Sequence, residues 1–503
     1  MIWTLLLLFL IAGTITSWCS IFYLINSKWS SIFHAEDQPH HTHTEQISRV
    51  GGVGIIIGFF VSYVLFFILF DSKDNRSLMH FSIFFGAFAC FALGLIDDLR
   101  PIDAKLKFII QILIAIFAHQ SGLKIDHAIL PFVEWDLDLQ NFSLILTVIW
   151  FVSIMNLINL IDGLDGLAGG IGFMLMILLV ILSVEKGIGI PTFLSIGMAG
   201  AILGFLIHNF PPARVYMGDS GAYTIGFVIA ALSLMNFQKG AVVAALLGPM
   251  MALALPIIDV TFAIVRRGIQ GLPLFRPDKE HIHHQLMRKG LSHKNTVLIL
   301  YGLSLMALFG GILIFSNQGR YFPIFVGFAM VIVIFALRFY GNSAVNLKQL
   351  FLDSINNRSE TQNAIKLSKW LVGEVDRIRQ AEHLWNDYQW VLKKLGYSKV
   401  ILSINGEEKI YEYSELSQDL EEFHSSDRMI LCKGNSDSFI QFWGEKSRFS
   451  ERRFDLNCDI AFESWVLAAR RWKELNQVDY NFNGQAKEQN NSSIEKARDL
   501  YLP

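Results

Sequence analysis

Charge is scarce in this chain. Asp, Glu, Lys and Arg make up 17% of its 503 residues, where soluble domains carry about 25%. Set against 52% hydrophobic residues and 41 Phe, that shortage excludes an ordinary soluble protein. Neither sign of charge dominates, with 42 Lys and Arg against 44 Asp and Glu. There is no basic patch with interleaved aromatics, so nucleic acid is not an expected partner. Cysteine is rarer still. Cys19, Cys90, Cys432 and Cys458 have neither metal-ligand nor disulfide-framework spacing, which predicts reduced, structural thiols. A basic n-region and a small-residue cleavage site are both missing before the first polar stretch, so the apolar start is expected to be a retained span.

What the chain has instead is long apolar runs. A spanning helix needs about 20 mainly apolar residues, and the runs 2–25, 50–70, 79–96, 143–161, 167–184, 191–207, 221–236, 241–265, 297–316 and 321–339 meet that need. The run 106–119 is short and holds Gln111; counting it as a span closes the alternation of loops and gives about eleven spans. One set of alternate breaks carries Lys28 and Arg49, then Arg100, Lys105 and Lys107, then Arg214, then a single loop with Arg266, Arg267, Arg276, Lys279, Arg288, Lys289 and Lys294. Cytoplasmic loops are the ones rich in Lys and Arg. The N-terminus is therefore expected outside and the charged C-terminal region inside. The fold expected is an all-α polytopic membrane protein followed by a small cytoplasmic α+β domain.

On that topology the polar residues gather at the cytoplasmic face. Asp97 and Asp98 end the third span in GLIDDLR. Asn156, Asn159, Asp162 and Asp165 recur every three positions at the end of the fifth span, so they share one helix face and the turn after it. Asp219 precedes the eighth span in VYMGDS, and His281, His283 and His284 follow the ninth. Each cluster alone has a bland explanation. Paired Asp residues can be a solvated flank, Asn residues can glue helices, DG steps can be turns, and a His-rich loop can be adventitious. All four explanations must hold together, and an Asp at bilayer depth costs about 2.5–3.5 kcal/mol on insertion scales. The chemical explanation is simpler. Carboxylates and amides are hard oxygen ligands for Mg²⁺, which usually binds through one or two carboxylates plus substrate phosphates. Phosphoryl transfer needs mainly positioning and charge neutralisation, and surrounding apolar helices could accept a lipid tail.

Over residues 1–340 the chain resembles the polyprenyl-phosphate N-acetylhexosamine-1-phosphate transferase superfamily. The resemblance is carried by SRVGGVGI, GLIDDLR, NLINLIDGLDGLAGG, NFPPARVYMGDSGA and FRPDKEHIHHQL in the family's order. It implies transfer of N-acetylhexosamine-1-phosphate, N-acetylglucosamine-1-phosphate in the branch with PDKEHIHH, from a UDP-sugar to polyprenyl phosphate. UMP is released, as a first membrane step of a cell-envelope polysaccharide. It implies Mg²⁺, or Mn²⁺ in its place, on Asp219 with Asn159. It gives catalytic roles to Asp97, Asp98, Asp162, His281, His283 and His284, and substrate contacts to Asn156, Asn159, Asp165, Asn209, Tyr216 and Arg276. It also implies a bacterial inner-membrane location, membrane-lipid contact and a homodimer as a candidate assembly. Two departures stand out: Ser48 replaces the usual Pro before Arg49, and the loop 37–43 is shorter than usual.

Domains are expected at 1–344 and 345–477, with a disordered tail at 478–503. The second domain reads as a helix at 367–395, strands at 399–404, 409–413, 429–433 and 439–443, and an amphipathic helix at 454–475. That order suits a small module of the GAF type, and no metal or phosphate motif lies within it. Two rival functions remain in view. A transporter would place its polar residues near the midplane, and an inactive membrane anchor would not need the carboxylates intact.

Overall fold

The structure is a computed structural model. It describes residues 2–27, 47–70, 78–129, 136–187, 189–236, 253–270, 290–315, 358–375, 381–404, 407–412, 423–426, 428–430, 439–447 and 451–475, with short pieces at 250, 272, 286–287, 327, 330–331, 377–378 and 449. The chain falls into two compact units. One holds Met1–Glu36, Glu45–Ala263 and Asp278–Ala344, and the other holds Val345–Pro503 with Asp37–Thr44 and Ile264–Pro277.

The apolar runs become helices: α1 Ile2–Ile25, α2 Gly51–Leu69, α3 Leu78–Leu99, α4 Ala104–Gln120, α5 Ser143–Ile161, α6 Leu167–Lys186, α7 Ile190–Asn209, α8 Gly218–Asn236, α9 Ala254–Gln270, which belongs to the first unit as far as Ala263, and α10 His293–Phe315. A helix satisfies its backbone groups internally, which a bilayer demands. Among the described residues seven are long and apolar enough to cross a membrane: Ile2–Ile25, Gly51–Leu69, Phe81–Leu99, Ser143–Ile161, Leu167–Val184, Ile190–Asn209 and Gly218–Met235. The chain is thus a multi-pass membrane protein. Helix α4 has 17 residues. The run expected at 241–265 is described as α9 only from Ala254 onward, and its helix continues past Arg266 and Arg267 to Gln270. Most of 321–339 lies outside the described residues.

Helix α8 is the hub, packed against α2, α3, α5 and α6. Of its apolar stretch 83% is buried, against 28% for α1, so α8 sits inside the bundle and α1 at its edge. Between α4 and α5 a short antiparallel pair, β1 His127–Ile129 and β2 Asp136–Asp138, closes the loop. The sequence pattern does not announce it. Lys124 and Ser143 hold Asp126 beside this pair at 2.7 and 2.8 Å.

The second unit has two helices, α11 Arg358–Glu374 and α12 Ala381–Leu395, where one was expected over 367–395. No proline marks the break. The two helices meet through Trp370 and Trp390, whose ring centroids are 5.1 Å apart. An unbroken helix could not fold back to make that contact. Strands β3 Lys399–Ile404, β4 Glu407–Glu412, β5 Phe423–Ser425, β6 Met429–Ile430 and β7 Phe439–Glu445 form an antiparallel sheet in the order β4-β3-β7-β5, with β6 also on β7. Helix α13, Glu451–Leu475, completes the unit. Its core holds Tyr388, Tyr397, Phe442, Phe454 and Trp465, all fully buried. Strand β5 was not expected; its three residues are too few for alternation to show. Cys432 and the tail 478–503 lie outside the described residues.

Candidate active site

The ends of α3, α4, α5 and α8 bring the polar motifs of the first unit together. Helix α3 ends in Asp97 and Asp98. Asp98 turns inward, with its side chain 1% exposed. One of its carboxylate oxygens accepts the backbone N–H of Asp219 at 3.0 Å, and the other accepts that of Ser220 at 3.1 Å. The first N–H groups of a helix have no partner within it, and a negative charge there is further favoured by the helix dipole. Asp98 thus anchors the start of α8 to the end of α3. The guanidinium of Arg49 lies 3.8 Å from the same carboxylate.

Two glycines make this approach possible. A Cβ on Gly94 would collide with backbone atoms of Asp219 and Ser220. Gly218 adopts φ +72° against the Asp98 carboxylate, a left-handed conformation that costs glycine no Cβ clash. The start of α2 is tied to the same segment from the other side. Gly51 N–H donates to Tyr216 O at 3.1 Å, Gly52 N–H to Met217 O at 3.0 Å, and Tyr216 N–H to Ser48 O at 2.9 Å. SRVGGVGI and VYMGDS, distant in sequence, are one backbone-paired structure. Ser48 makes this pairing through its carbonyl, which proline would also possess.

Asp97 faces the other way. One oxygen accepts Ile102 N–H at 2.7 Å, and the other meets the Lys107 ammonium at 2.7 Å. The same ammonium stands 3.4 Å from Asp219 Oδ2, so one lysine from α4 joins two carboxylates from α3 and α8. The Tyr223 hydroxyl, one turn along α8 from Asp219, also donates to Asp219 Oδ2 at 3.1 Å. Asn159 Nδ2 donates to that hydroxyl at 3.3 Å. Asp97, Asp98, Asn159 and Asp219 are therefore brought together.

The remaining expected residues divide. Asp162 caps α5. Burial, then the carboxylates of Asp219 and Asp98, push its pKa well above the usual carboxylate range, while Arg49 opposes the shift. Asn156 lies one turn deeper than Asn159 and donates to Gln111 Oε1 at 2.6 Å and to Val152 O at 2.8 Å. Asp165 accepts Ala213 N–H at 3.1 Å. Asn209, 2% exposed, accepts Gly166 N–H at 2.8 Å and donates to Val215 O at 2.7 Å. Those two side chains shape the 210–217 segment that delivers Tyr216, whose phenol is pushed up to about 12 by burial. Gly166 itself has φ +79° and opens α6, and its carbonyl accepts the Tyr301 hydroxyl. Arg276, His281, His283 and His284 lie outside the described residues.

Lys107 and Tyr223 were not singled out from sequence as site residues. A signal existed for both. Lys107 is a cation just inside an apolar helix, and Tyr223 lies four residues after Asp219, hence on its helix face.

The donor set suits a hard divalent cation. Asp219 and Asp97 offer carboxylate oxygens beside the Asn159 amide, within a cluster of four carboxylates faced by Lys107 and Arg49. Among the described residues no group of three or more His, Cys, Asp or Glu side chains is placed to hold a metal ion by itself. Mg²⁺ requires none, because substrate phosphates and water complete its coordination.

Comparison with known proteins adds to this geometry. Residues 80–236 match the model of the family described as Glycosyl transferase family 4. The chain is 36% identical over 300 residues to a Bacillus subtilis protein named "Probable undecaprenyl-phosphate N-acetylglucosaminyl 1-phosphate transferase", covering 59% of this chain and 82% of that protein. It is 36% identical over 230 residues to the decaprenyl-phosphate N-acetylglucosaminephosphotransferase of Mycobacterium tuberculosis, covering 42% of this chain and 57% of that protein. It is 30% identical over 311 residues to the undecaprenyl-phosphate alpha-N-acetylglucosaminyl 1-phosphate transferase of Haemophilus influenzae, covering 59% and 84%.

Proposed function

This chain belongs to glycosyl transferase family 4, among the polyprenyl-phosphate N-acetylhexosamine-1-phosphate transferases, and we propose that it transfers N-acetylglucosamine-1-phosphate from UDP-N-acetylglucosamine to undecaprenyl phosphate. An oxygen of the lipid phosphate attacks the sugar-linked phosphorus, the bond from that phosphorus to the UMP oxygen breaks, and UMP leaves. One diphosphate bond replaces another, so little driving force is expected in either direction.

The observation that carries this reading is the meeting of Asp97, Lys107 and Asp219 within hydrogen-bonding range, at the ends of three helices. Lys107 supplies positive charge where phosphate oxygens would lie, and Asp97 holds it there. Asp98 fixes the backbone of Asp219. Asp219, with Asn159 nearby, would hold Mg²⁺. When bound, that ion would neutralise charge growing on the diphosphate. Asp165 and Asn209 support the nucleotide side by shaping the segment that carries Tyr216. Arg276 and the histidines 281, 283 and 284 are assigned to the diphosphate by the family pattern alone.

We place the site on the cytoplasmic face of a bacterial inner membrane, with the N-terminus outside and residues 345–477 inside as an appended structural or partner-binding module. The cation asymmetry of the loops supports this orientation. A transporter reading is disfavoured because the clustered carboxylates sit at helix ends. The test is a transfer assay with radiolabelled UDP-N-acetylglucosamine, polyprenyl phosphate and Mg²⁺. Lipid-linked label and UMP should form together, and Asp219→Asn should lower the rate by about 10²–10³. An unchanged rate in that variant at limiting Mg²⁺ would sink the assignment.

A further inference from the structure

Tyr223 has no place in the reaction so far, yet its hydroxyl lies at the centre of the site. The residue is 2% exposed, and a buried tyrosine hydroxyl usually finds a partner. Here it has two. Asn159 Nδ2, an amide donor, gives its hydrogen to the phenolic oxygen at 3.3 Å. The single phenolic hydrogen is then directed to Asp219 Oδ2 at 3.1 Å. The direction of the chain from α5 through α8 to the carboxylate is therefore fixed by donor and acceptor chemistry.

Asp219 and Tyr223 are four apart on α8, so their side chains lie on one face. Lys107 approaches the same Oδ2 from α4 at 3.4 Å. Two donors from two helices thus converge on one oxygen of a side chain whose backbone is already pinned by Asp98. A phenylalanine would fill the same space and pack equally well, so the hydroxyl is the part that needs a reason.

We infer that Tyr223 is a positioning residue. It fixes the orientation of the Asp219 carboxylate and thereby sets the divalent-cation affinity of the site; this rests on the reading of Asp219 as the metal-binding aspartate. Tyr223 touches neither substrate nor metal in this scheme. It acts as outer-sphere partners do at other metal sites, where losing one costs about 10–100-fold in metal affinity or activity.

The test uses the full chain in lipid nanodiscs, as wild type, Tyr223→Phe and Asp219→Asn. Mn²⁺ binding is followed by electron paramagnetic resonance without nucleotide sugar, and transfer is measured across a Mg²⁺ titration. Tyr223→Phe should bind Mn²⁺ about 10–100-fold more weakly. It should need correspondingly more Mg²⁺ for half-maximal rate, and should recover most of the plateau rate at saturating Mg²⁺ with the UDP-sugar KM unchanged. Wild-type Mn²⁺ affinity in Tyr223→Phe overturns the inference. So does a fallen plateau rate that no Mg²⁺ concentration restores, since that is the mark of general damage. Wild-type Mn²⁺ affinity in Asp219→Asn removes the metal assignment itself, and Tyr223 with it.

Discussion

Asp98→Asn separates two roles that the paired aspartates of GLIDDLR could play. In the structure Asp98 spends both carboxylate oxygens on the N–H groups of Asp219 and Ser220, at 3.0 and 3.1 Å, from a side chain 1% exposed. Hydrogen bonds to a charged group contribute about 1.5–3 kcal/mol each, and this pair is too buried for solvent to screen. Asparagine keeps one acceptor and turns an NH₂ toward the other N–H. It should therefore lose about 1.5–3 kcal/mol. At about 2–4 °C per kcal/mol for a domain of moderate size, the thermal midpoint should fall by about 3–12 °C. Asp98→Ala loses both bonds and should fall roughly twice as far. The rate should drop as well, because a misplacement near 1 Å can cost about 10²-fold, and Asp219 is the residue that moves. The assay pairs thermal unfolding in detergent with transfer rate against pH. A general base would behave otherwise: its loss costs about 10²–10⁴ in rate and removes the corresponding limb of the pH profile, with stability intact. Asp98→Asn with the parent midpoint, a large rate loss and a missing pH limb would refute the anchoring role.

Two further outcomes follow from the packing. Gly94→Ala places a Cβ against the backbone of Asp219 and Ser220, closer than 3.0 Å; α3 and α8 must separate, and both transfer rate and thermal midpoint should fall, whereas a parent-like variant would mean the two helix ends are not in contact. Stopping the chain near Asn346 should leave measurable transfer, since the motifs all precede it. Complete loss of activity in a truncated protein that still inserts and purifies would give residues 345–477 a part in catalysis or assembly.

Much of the first unit is legible from the chain because a membrane simplifies the code. Every backbone group must be satisfied within its own helix, so a run of about 20 apolar residues has few alternatives, and seven such runs appear as expected. The motifs with Asp97, Asn159 and Asp219 are legible too: each lies at an end of such a run, which places these residues at comparable depth before any contact is known. The second unit is less so. Its single predicted helix over 367–395 is two, because the fold-back is marked by tertiary packing such as that of Trp370 on Trp390. Strand β5 exists only through its pairing with β7.

Sequence alone determined that the chain is a multi-pass protein with acidic and amide groups at helix ends, and which family motifs those groups form. Only the tertiary structure decided what each group holds. Adjacent in sequence, Asp97 and Asp98 project from neighbouring positions of one helix, about 100° apart. They therefore meet different neighbours: Lys107 and the chain turn for the first, the opening backbone of α8 for the second. Lys107 entered the site for the same reason, and so did the Asn159 partner of Tyr223. The spacing of Asp219 and Tyr223 puts them on one helix face, but which helices pack beside that face is not encoded locally: nothing around 107 or 159 says that α4 and α5 both lie near Asp219.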